Sequence, residues 1–326
     1  MGKGASALAI SNNTHRYSTF SKLPPFVLAR IQQFLALLLV AASTMWLFLF
    51  WEYSVPLALT GFVCGLFSFS ALLAIQCTLM ATINQRGANT GATFNQWVYA
   101  WLTETVVALK VFFWWQPFRS NAIANQLPVS THGQPQRGVV FLHGFACNRG
   151  VWTLWLRILQ SRGIAFSAIN LEPVFGSIDD YTSRVERAIR EITQSTGKPP
   201  LLVCHSMGGL AARAWLRASG GDDRVHRVVT IGSPHAGTLV PHLNLWGSLF
   251  VNGSQMRSGS QWLAELALHE PRERAARFTC FYSNCDNIVP AAAATLAGAD
   301  NRFVAGVPHV ALVFDQDVIH QTLSML

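Results

Sequence analysis

A single charged residue, Glu52, stands between Arg30 and Arg86. It splits the interval into two uncharged runs, Ile31–Trp51 and Tyr53–Gln85, the second with its apolar heart at Leu57–Ile83. A helix that crosses a bilayer needs roughly 20 apolar residues, so each run is long enough. Glu52 and Pro56 mark a tight turn, and Trp46, Trp51 and Tyr53 cluster there as in an interfacial belt. The spacing predicts a transmembrane helical hairpin over residues 31–85, preceded by a basic segment over 1–30. A cleaved signal peptide followed by a buried helix fits less well. A signal core spans about 7–15 residues, and no second apolar run should follow it at once.

Charge and composition agree with a membrane. Hydrophobic residues make up 51% of the 326-residue chain and charged residues only 12%, about half the charged share usual for a soluble domain. Extended disorder is excluded for most of the chain. The formal net charge is +8, and its location decides its meaning. Eight basic and two acidic residues precede position 138, and sixteen and fourteen follow it. The basic excess flanks the apolar runs, which points to a membrane and argues against a nucleic-acid partner. Lys3, Arg16, Lys22 and Arg30 precede the hairpin, Arg86, Lys110 and Arg119 follow it, and the turn has none. The positive-inside rule puts both ends in the cytoplasm, with the membrane expected to be a bacterial inner membrane.

Residues 86–137 read as an amphipathic helix, Phe94–Trp115, and a linker over 120–137. Phe94, Trp97, Trp101, Leu109 and Phe113 recur at helical spacing, and Glu104 and Lys110 interrupt the segment. A helix lying in the membrane interface is the preferred reading, packing on the following domain is the alternative, and Pro117 is expected to end it. The six cysteines show neither a disulfide framework nor a CxxC zinc pattern.

From Gly138 onward strands alternate with helices. Val139–Leu142, Ala165–Leu171, Leu201–His205, Val225–Ile231 and Arg277–Tyr282 read as strands. Val151–Ser161, Ile178–Thr196, Gly208–Ser219 and Asp315–Leu326 read as helices. That alternation predicts an α/β domain over 138–326, a mostly parallel sheet with helices on both faces. Residues 239–275 form the largest insertion, with Leu245, Trp246, Leu249, Phe250 and Trp262 among polar neighbours. It reads equally as a lid or acyl-binding wall and as ordinary packing.

The sharpest local signal is Leu201-Leu202-Val203-Cys204-His205-Ser206-Met207-Gly208-Gly209, a buried strand that runs through a serine directly into a helix. Such a turn holds the serine hydroxyl exposed above the sheet, and small residues are needed two positions either side. Gly208 supplies one, while Cys204 stands where glycine is usual. A serine needs a base, and the base needs an orienting acid. In this arrangement acid and base follow the serine in chain order. His309, in the loop Gly306-Val307-Pro308-His309, is the candidate base, and His320 reads as a surface or packing residue of the last helix. Asp286, just after a strand, is the candidate acid, with Asp300 its main rival and Asp315 and Asp317 read as helix-start acids. The loop His143-Gly144-Phe145 follows the first strand, so the backbone N–H groups of Phe145 and Met207 are candidates for an oxyanion hole. The His143 side chain reads as a structural group holding that loop.

Together with Val140-Phe141-Leu142 and Gly232-Ser233-Pro234-His235-Ala236-Gly237-Thr238, these motifs resemble the α/β-hydrolase superfamily, most closely its bacterial lipase and esterase branch. The resemblance covers about residues 138–326. It implies hydrolysis of lipid or other hydrophobic carboxylic esters through an acyl-enzyme. Ser206 would be the nucleophile, His309 the base, Asp286 its orienting acid, and the Phe145 and Met207 N–H groups the oxyanion donors. No cofactor or metal is implied. Calcium-dependent secreted lipases carry an aspartate where this chain has Ala311. The domain start resembles compact lipases that lack the first two strands of the full fold. The alternatives are an acyltransferase or thioesterase using the same acyl-serine, and a catalytically silent membrane-anchored binding module.

Overall fold

A computed structural model describes residues 27–84, 91–127, 136–239 and 250–326. The basic residues Lys3, Arg16, Lys22 and Arg86 lie outside the described residues, as do Leu245, Trp246 and Leu249 of the insertion.

The two apolar runs form helices α1 (Val27–Trp51) and α2 (Val55–Asn84), with Glu52 in the turn and Pro56 in the first turn of α2. Both are long and apolar enough to cross a membrane, with mean hydropathies of 2.2 and 2.1. Most of their surface is exposed, including Phe34, Phe48, Phe67 and Ile75, so they are not core helices of the following domain. Toward its C-terminal end α2 buries a single stripe, Ser70, Leu73, Cys77, Met80 and Asn84, at the three- and four-residue spacing of one helix face.

Helix α3 (Phe94–Lys110) lies along that stripe. It starts with a capping box, in which the Thr93 hydroxyl accepts the Gln96 N–H and the Gln96 side chain accepts the Thr93 N–H. The Trp101 indole donates to the Ser70 carbonyl, and the Ser70 and Thr105 hydroxyls are 3.0 Å apart. Pro117 does not end the helix, contrary to the sequence expectation. A π-helical turn over Val111–Trp115 is followed by α4 (Gln116–Arg119). The Gln116 N–H donates to the Val111 carbonyl five residues back. This shift of register lets the chain continue through a proline that has no N–H to give. Nor is α3 simply an interfacial helix. Trp97, Ala100, Glu104 and Ala108 are buried against protein, and Phe94, Tyr99, Leu102 and Val106 on the opposite side are exposed. The buried face packs on protein, as the alternative reading expects, and the other face is open.

The α/β domain contains a sheet with strands β1 (Val139–Leu142), β2 (Phe166–Ile169), β3 (Leu201–His205), β4 (Arg227–Ile231), β5 (Phe278–Ser283) and β6 (Asp300–Val304). All pairs are parallel, in the order β2-β1-β3-β4-β5-β6. The sixth strand is an addition to the sequence reading. It lies at the sheet edge, partly exposed along its length, and so lacks the apolar run that marks the others. The sequence boundaries of β1 and β3 match the observed ones, and the others differ by up to four residues. The stretch read as a helix from Ile178 opens as a 3₁₀ turn before α6 (Thr182–Thr196), and α5 (Thr153–Ser161) is likewise preceded by a 3₁₀ turn.

Side chains alternate across the sheet. Val140, Leu142, Leu202 and Cys204 face α6 and α7 (Met207–Ser219), where Val185, Ile189, Leu210 and Trp215 meet them. Val139, Phe141, Leu201 and Val203 face α5 and the last helix, α10 (Gln316–Leu323), with Trp152, Trp155 and Ile319. Val111 and Trp115 join this second cluster, so the segment after α3 is part of the wall of the α/β domain. The described part of the insertion also packs firmly. Helix α8 (Val251–Gln255) carries the buried Asn252, whose amide donates to the Val174 carbonyl and the Tyr181 hydroxyl. Helix α9 (Gln261–Leu268) buries Leu263 and Leu266 in the first cluster.

Candidate active site

The strand order reverses between β1 and β3, and in open α/β sheets the crevice beyond the strand ends at such a point is where ligands bind. The loop after β1 and the turn after β3 meet there. Ser206 occupies the one-residue turn between β3 and α7, at φ 53 and ψ −125. This is a conformation that a side chain rarely adopts, at a cost of about 1–3 kcal/mol that the surroundings must offset. Its N–H donates to the Ile231 carbonyl at 2.9 Å, which ties the turn to the neighbouring strand. Gly144 lies so close that a Cβ there would stand 2.8 Å from the Ser206 Cβ and 3.4 Å from its Oγ. Met207 is the first residue of α7, so its N–H has no partner within the helix. Phe145 follows Gly144 in the loop that flanks Ser206, and its ring adjoins those of Phe175 and Phe250 at 6.0 and 6.4 Å.

His309 and Asp286 come together beside this turn. The His309 Nδ1 and the Asp286 Oδ2 are 2.8 Å apart, both side chains buried. The other Asp286 oxygen accepts the N–H groups of Ile288 and Val289, each at 2.8 Å. That fixes the carboxylate and leaves Oδ2 for the imidazole. The His309 N–H donates to the Asn287 side chain, and the Gly306 N–H to the Asn284 side chain, so the two loops are stitched together. Gly232, in the left-handed region at φ 58, leaves room for the pair, since a Cβ there would stand 3.0 Å from Asp286 Oδ2. The His205 ring packs 4.7 Å from that of His309, and its Nε2 lies 3.3 Å from the His309 carbonyl oxygen.

The rival acid is elsewhere. Asp300, on β6, is paired with Arg302 at 2.7 Å. Asp315 caps α10, accepting the Asp317 and Val318 N–H groups, and His320 is exposed on that helix. His143 holds its loop, accepting the Leu171 N–H on Nε2, with Nδ1 2.9 Å from the Gly144 carbonyl. Burial lowers its pKa to about 4, so it stays neutral. For His309, burial disfavours the imidazolium, but the charges and hydrogen bond of Asp286, with Glu104 adding to them, outweigh it and raise the pKa above the ordinary histidine value. Among the described residues no cluster of His, Cys, Asp or Glu could hold a metal ion.

Three contacts near the site were not anticipated from the sequence, and all come from the N-terminal helices. Glu104 of α3 accepts the N–H groups of Val310 and Ala311. Asn84, at the end of α2, donates to the Asn284 carbonyl and accepts the Ala291 N–H, while Asn287 donates to Gln76. Gln32 of α1 donates to the carbonyl of Ala146 and to the Gln116 side chain. The sequence signal for these is weak, an acid in an amphipathic helix and amides in largely apolar ones.

The sequence model of the alpha/beta hydrolase family matches residues 139–321, more than half of the chain, and the chain belongs to that family. No curated protein matches it. Similar solved structures include a Bacillus licheniformis lipase in its propeptide form, at 20% identity and a TM-score of 0.52, covering 61% of this chain and 52% of that one. Aspergillus fumigatus lipase B is 16% identical over 59% of this chain and 53% of its own, with a TM-score of 0.49. The Paleococcus ferrophilus monoacylglycerol lipase is 15% identical over 60% and 97%, with a TM-score of 0.43. This chain thus spans only about half of the Bacillus lipase in that form, and the likeness is one of fold.

Proposed function

We propose that this protein is a membrane-anchored serine hydrolase that cleaves carboxylic esters of hydrophobic or lipid substrates. The catalytic domain is residues 138–326, the anchor is the hairpin over 31–85, and the hydrolase domain lies on the cytoplasmic side. The single observation that carries the reading is the His309–Asp286 pair, 2.8 Å apart and buried, beside a serine on a strained strand-to-helix turn. In this reading Ser206 Oγ attacks the ester carbonyl carbon while His309 takes its proton. The Phe145 and Met207 N–H groups stabilise the oxyanion of the tetrahedral intermediate. As the intermediate collapses, His309 gives the proton to the departing alcohol oxygen, and the acyl group stays on Ser206. A water molecule, deprotonated by His309, then attacks the acyl-enzyme, and the carboxylic acid leaves as Ser206 recovers its proton. Asp286 holds the imidazole with Nδ1 protonated and stabilises the imidazolium formed in each half-reaction.

The anchor supports a hydrophobic substrate, because it would hold the site beside the lipid phase and raise the effective substrate concentration. The apolar rings of Phe145, Phe175 and Phe250 beside the candidate oxyanion loop suit an acyl group. The test is hydrolysis of a series of esters, from short to long acyl chains, by detergent-solubilised full-length protein. The expected result is turnover that rises with acyl hydrophobicity and falls to background in Ser206→Ala. Turnover that survives this substitution discards the mechanism.

A further inference from the structure

Glu104 lies outside the stretch matched to the hydrolase family, on α3, yet its side chain ends behind the candidate base. It is 1% exposed. One carboxylate oxygen accepts the Val310 N–H at 3.0 Å, and the other accepts the Ala311 N–H at 3.1 Å. These are the two residues that follow His309. Among the described residues it forms no ion pair with a lysine or arginine. A carboxylate taken out of water without a countercharge is costly, and a neutral acceptor would satisfy two N–H groups more cheaply. One group near Glu104 gains positive charge during the proposed reaction, and that group is His309.

We propose that Glu104 is a positioning residue for His309, a second carboxylate supplied by the membrane-proximal helix. It pins the backbone that follows the imidazole, and its negative charge joins that of Asp286 in favouring the imidazolium formed at each proton transfer. The inference rests on the Ser206–His309–Asp286 reading. It makes the helix between hairpin and hydrolase domain a contributor to the active site as well as a connector.

The charged and titratable groups around Glu104 are few. His309 and Asp286 face it from the loops after β6 and β5, and the thiols of Cys77 on α2 and Cys285 in the Asp286 loop lie within electrostatic reach of these acids. His205, beside His309, is held neutral by burial. Burial pushes the Glu104 carboxyl up to about 7, against the pull of the Val310 N–H, His309 and the Ala311 N–H. It titrates in concert with His309. Removing its charge lowers the histidine pKa. The acid limb of the rate profile then moves to lower pH, while the plateau falls because the imidazolium loses support.

The experiment is the pH dependence of kcat and KM for ester hydrolysis by full-length wild type, Glu104→Gln and Glu104→Asp in detergent, with folding checked by thermal melting. Glutamine keeps an acceptor for the loop but no charge. The expected result is a plateau kcat lowered about tenfold, an unchanged KM and an acid limb displaced to lower pH. A lowered plateau with an unmoved limb makes Glu104 a structural cap only and overturns the proposal, as does a profile identical to wild type. If Glu104→Gln is unfolded at the assay temperature, Glu104→Asp decides, because it keeps the charge and shortens the reach. Drawing the charge back from His309 is expected to lower the plateau and to move the acid limb part of the way to lower pH, and an unmoved limb overturns the role. A wild-type protein that neither hydrolyses esters nor reacts with a fluorophosphonate fails at the parent reading, and this inference falls with it.

Discussion

Gly208 has no room for a side chain. A Cβ built there would stand 2.4 Å from the Leu142 carbonyl oxygen and 2.9 Å from its carbon, and a backbone group cannot step aside as a flexible side chain can. The β3–α7 turn is tight because α7 starts directly over the end of β1, and glycine permits that approach. Gly208→Ala is expected to destabilise the protein by about 1–3 kcal/mol and to lower hydrolysis by disturbing Ser206, two residues back. Differential scanning fluorimetry with parallel rate measurements checks both, and an alanine variant with wild-type melting and rate contradicts this account of the turn. The same crowding made the serine legible in the sequence, since a buried strand running into Ser-Met-Gly-Gly has few other uses. Position 204 departs from glycine because its side chain points into the core with Val140 and Leu202, where a small apolar thiol fits. His309 and Asp286 are candidates from chain order and loop placement, and the structure brings the two side chains together. Glu104 could not be found that way, because its partners are backbone N–H groups more than two hundred residues away, and backbone donors leave no mark on composition.

The elements that announce themselves in the sequence bury a regular pattern or are apolar throughout. The hairpin is legible because almost no charge interrupts it, and β1, β3 and β4 because almost every residue is buried. β6 escaped notice because an edge strand needs pairing on one side only and tolerates Asp300, Asn301 and Arg302 in the open. The continuation through Pro117 escaped notice because a π-turn depends on a register shift that no residue type announces. Helix α2, with 30 residues, is about 45 Å long, which exceeds the roughly 30 Å hydrocarbon core. Its last turns, from Gln76 to Asn84, reach the loop that carries Asp286. As a spanning pair, α1 and α2 are expected to keep the protein in the membrane pellet through alkaline carbonate washing and to release it only in detergent. Release by carbonate alone contradicts the spanning assignment.

At the scale of the whole molecule, the N-terminal helices and the hydrolase domain form one packed body around the candidate site. Gln32 touches the loop after β1, Asn84 and Gln76 the loop after β5, and Glu104 the loop after β6. Each loop that carries a candidate group other than the elbow itself is thus held from the N-terminal side by a polar residue of one of these helices. The sequence divides at Gly138 by texture, because apolar composition and strand–helix alternation are unlike. The packing does not divide there, since Val111 and Trp115 share a hydrophobic cluster with Phe141 and Trp155. The account stands on one chemical claim, that Ser206 is made nucleophilic by His309. The most direct measurement is the reaction of full-length protein with a fluorophosphonate, with the adduct located by tandem mass spectrometry. The account predicts a single adduct on Ser206 that forms rapidly in the wild type and is slowed at least a thousandfold, on the order of the loss when a triad base is removed, in His309→Ala. An unreactive Ser206 in folded wild-type protein, or labelling that is indifferent to His309, would contradict it.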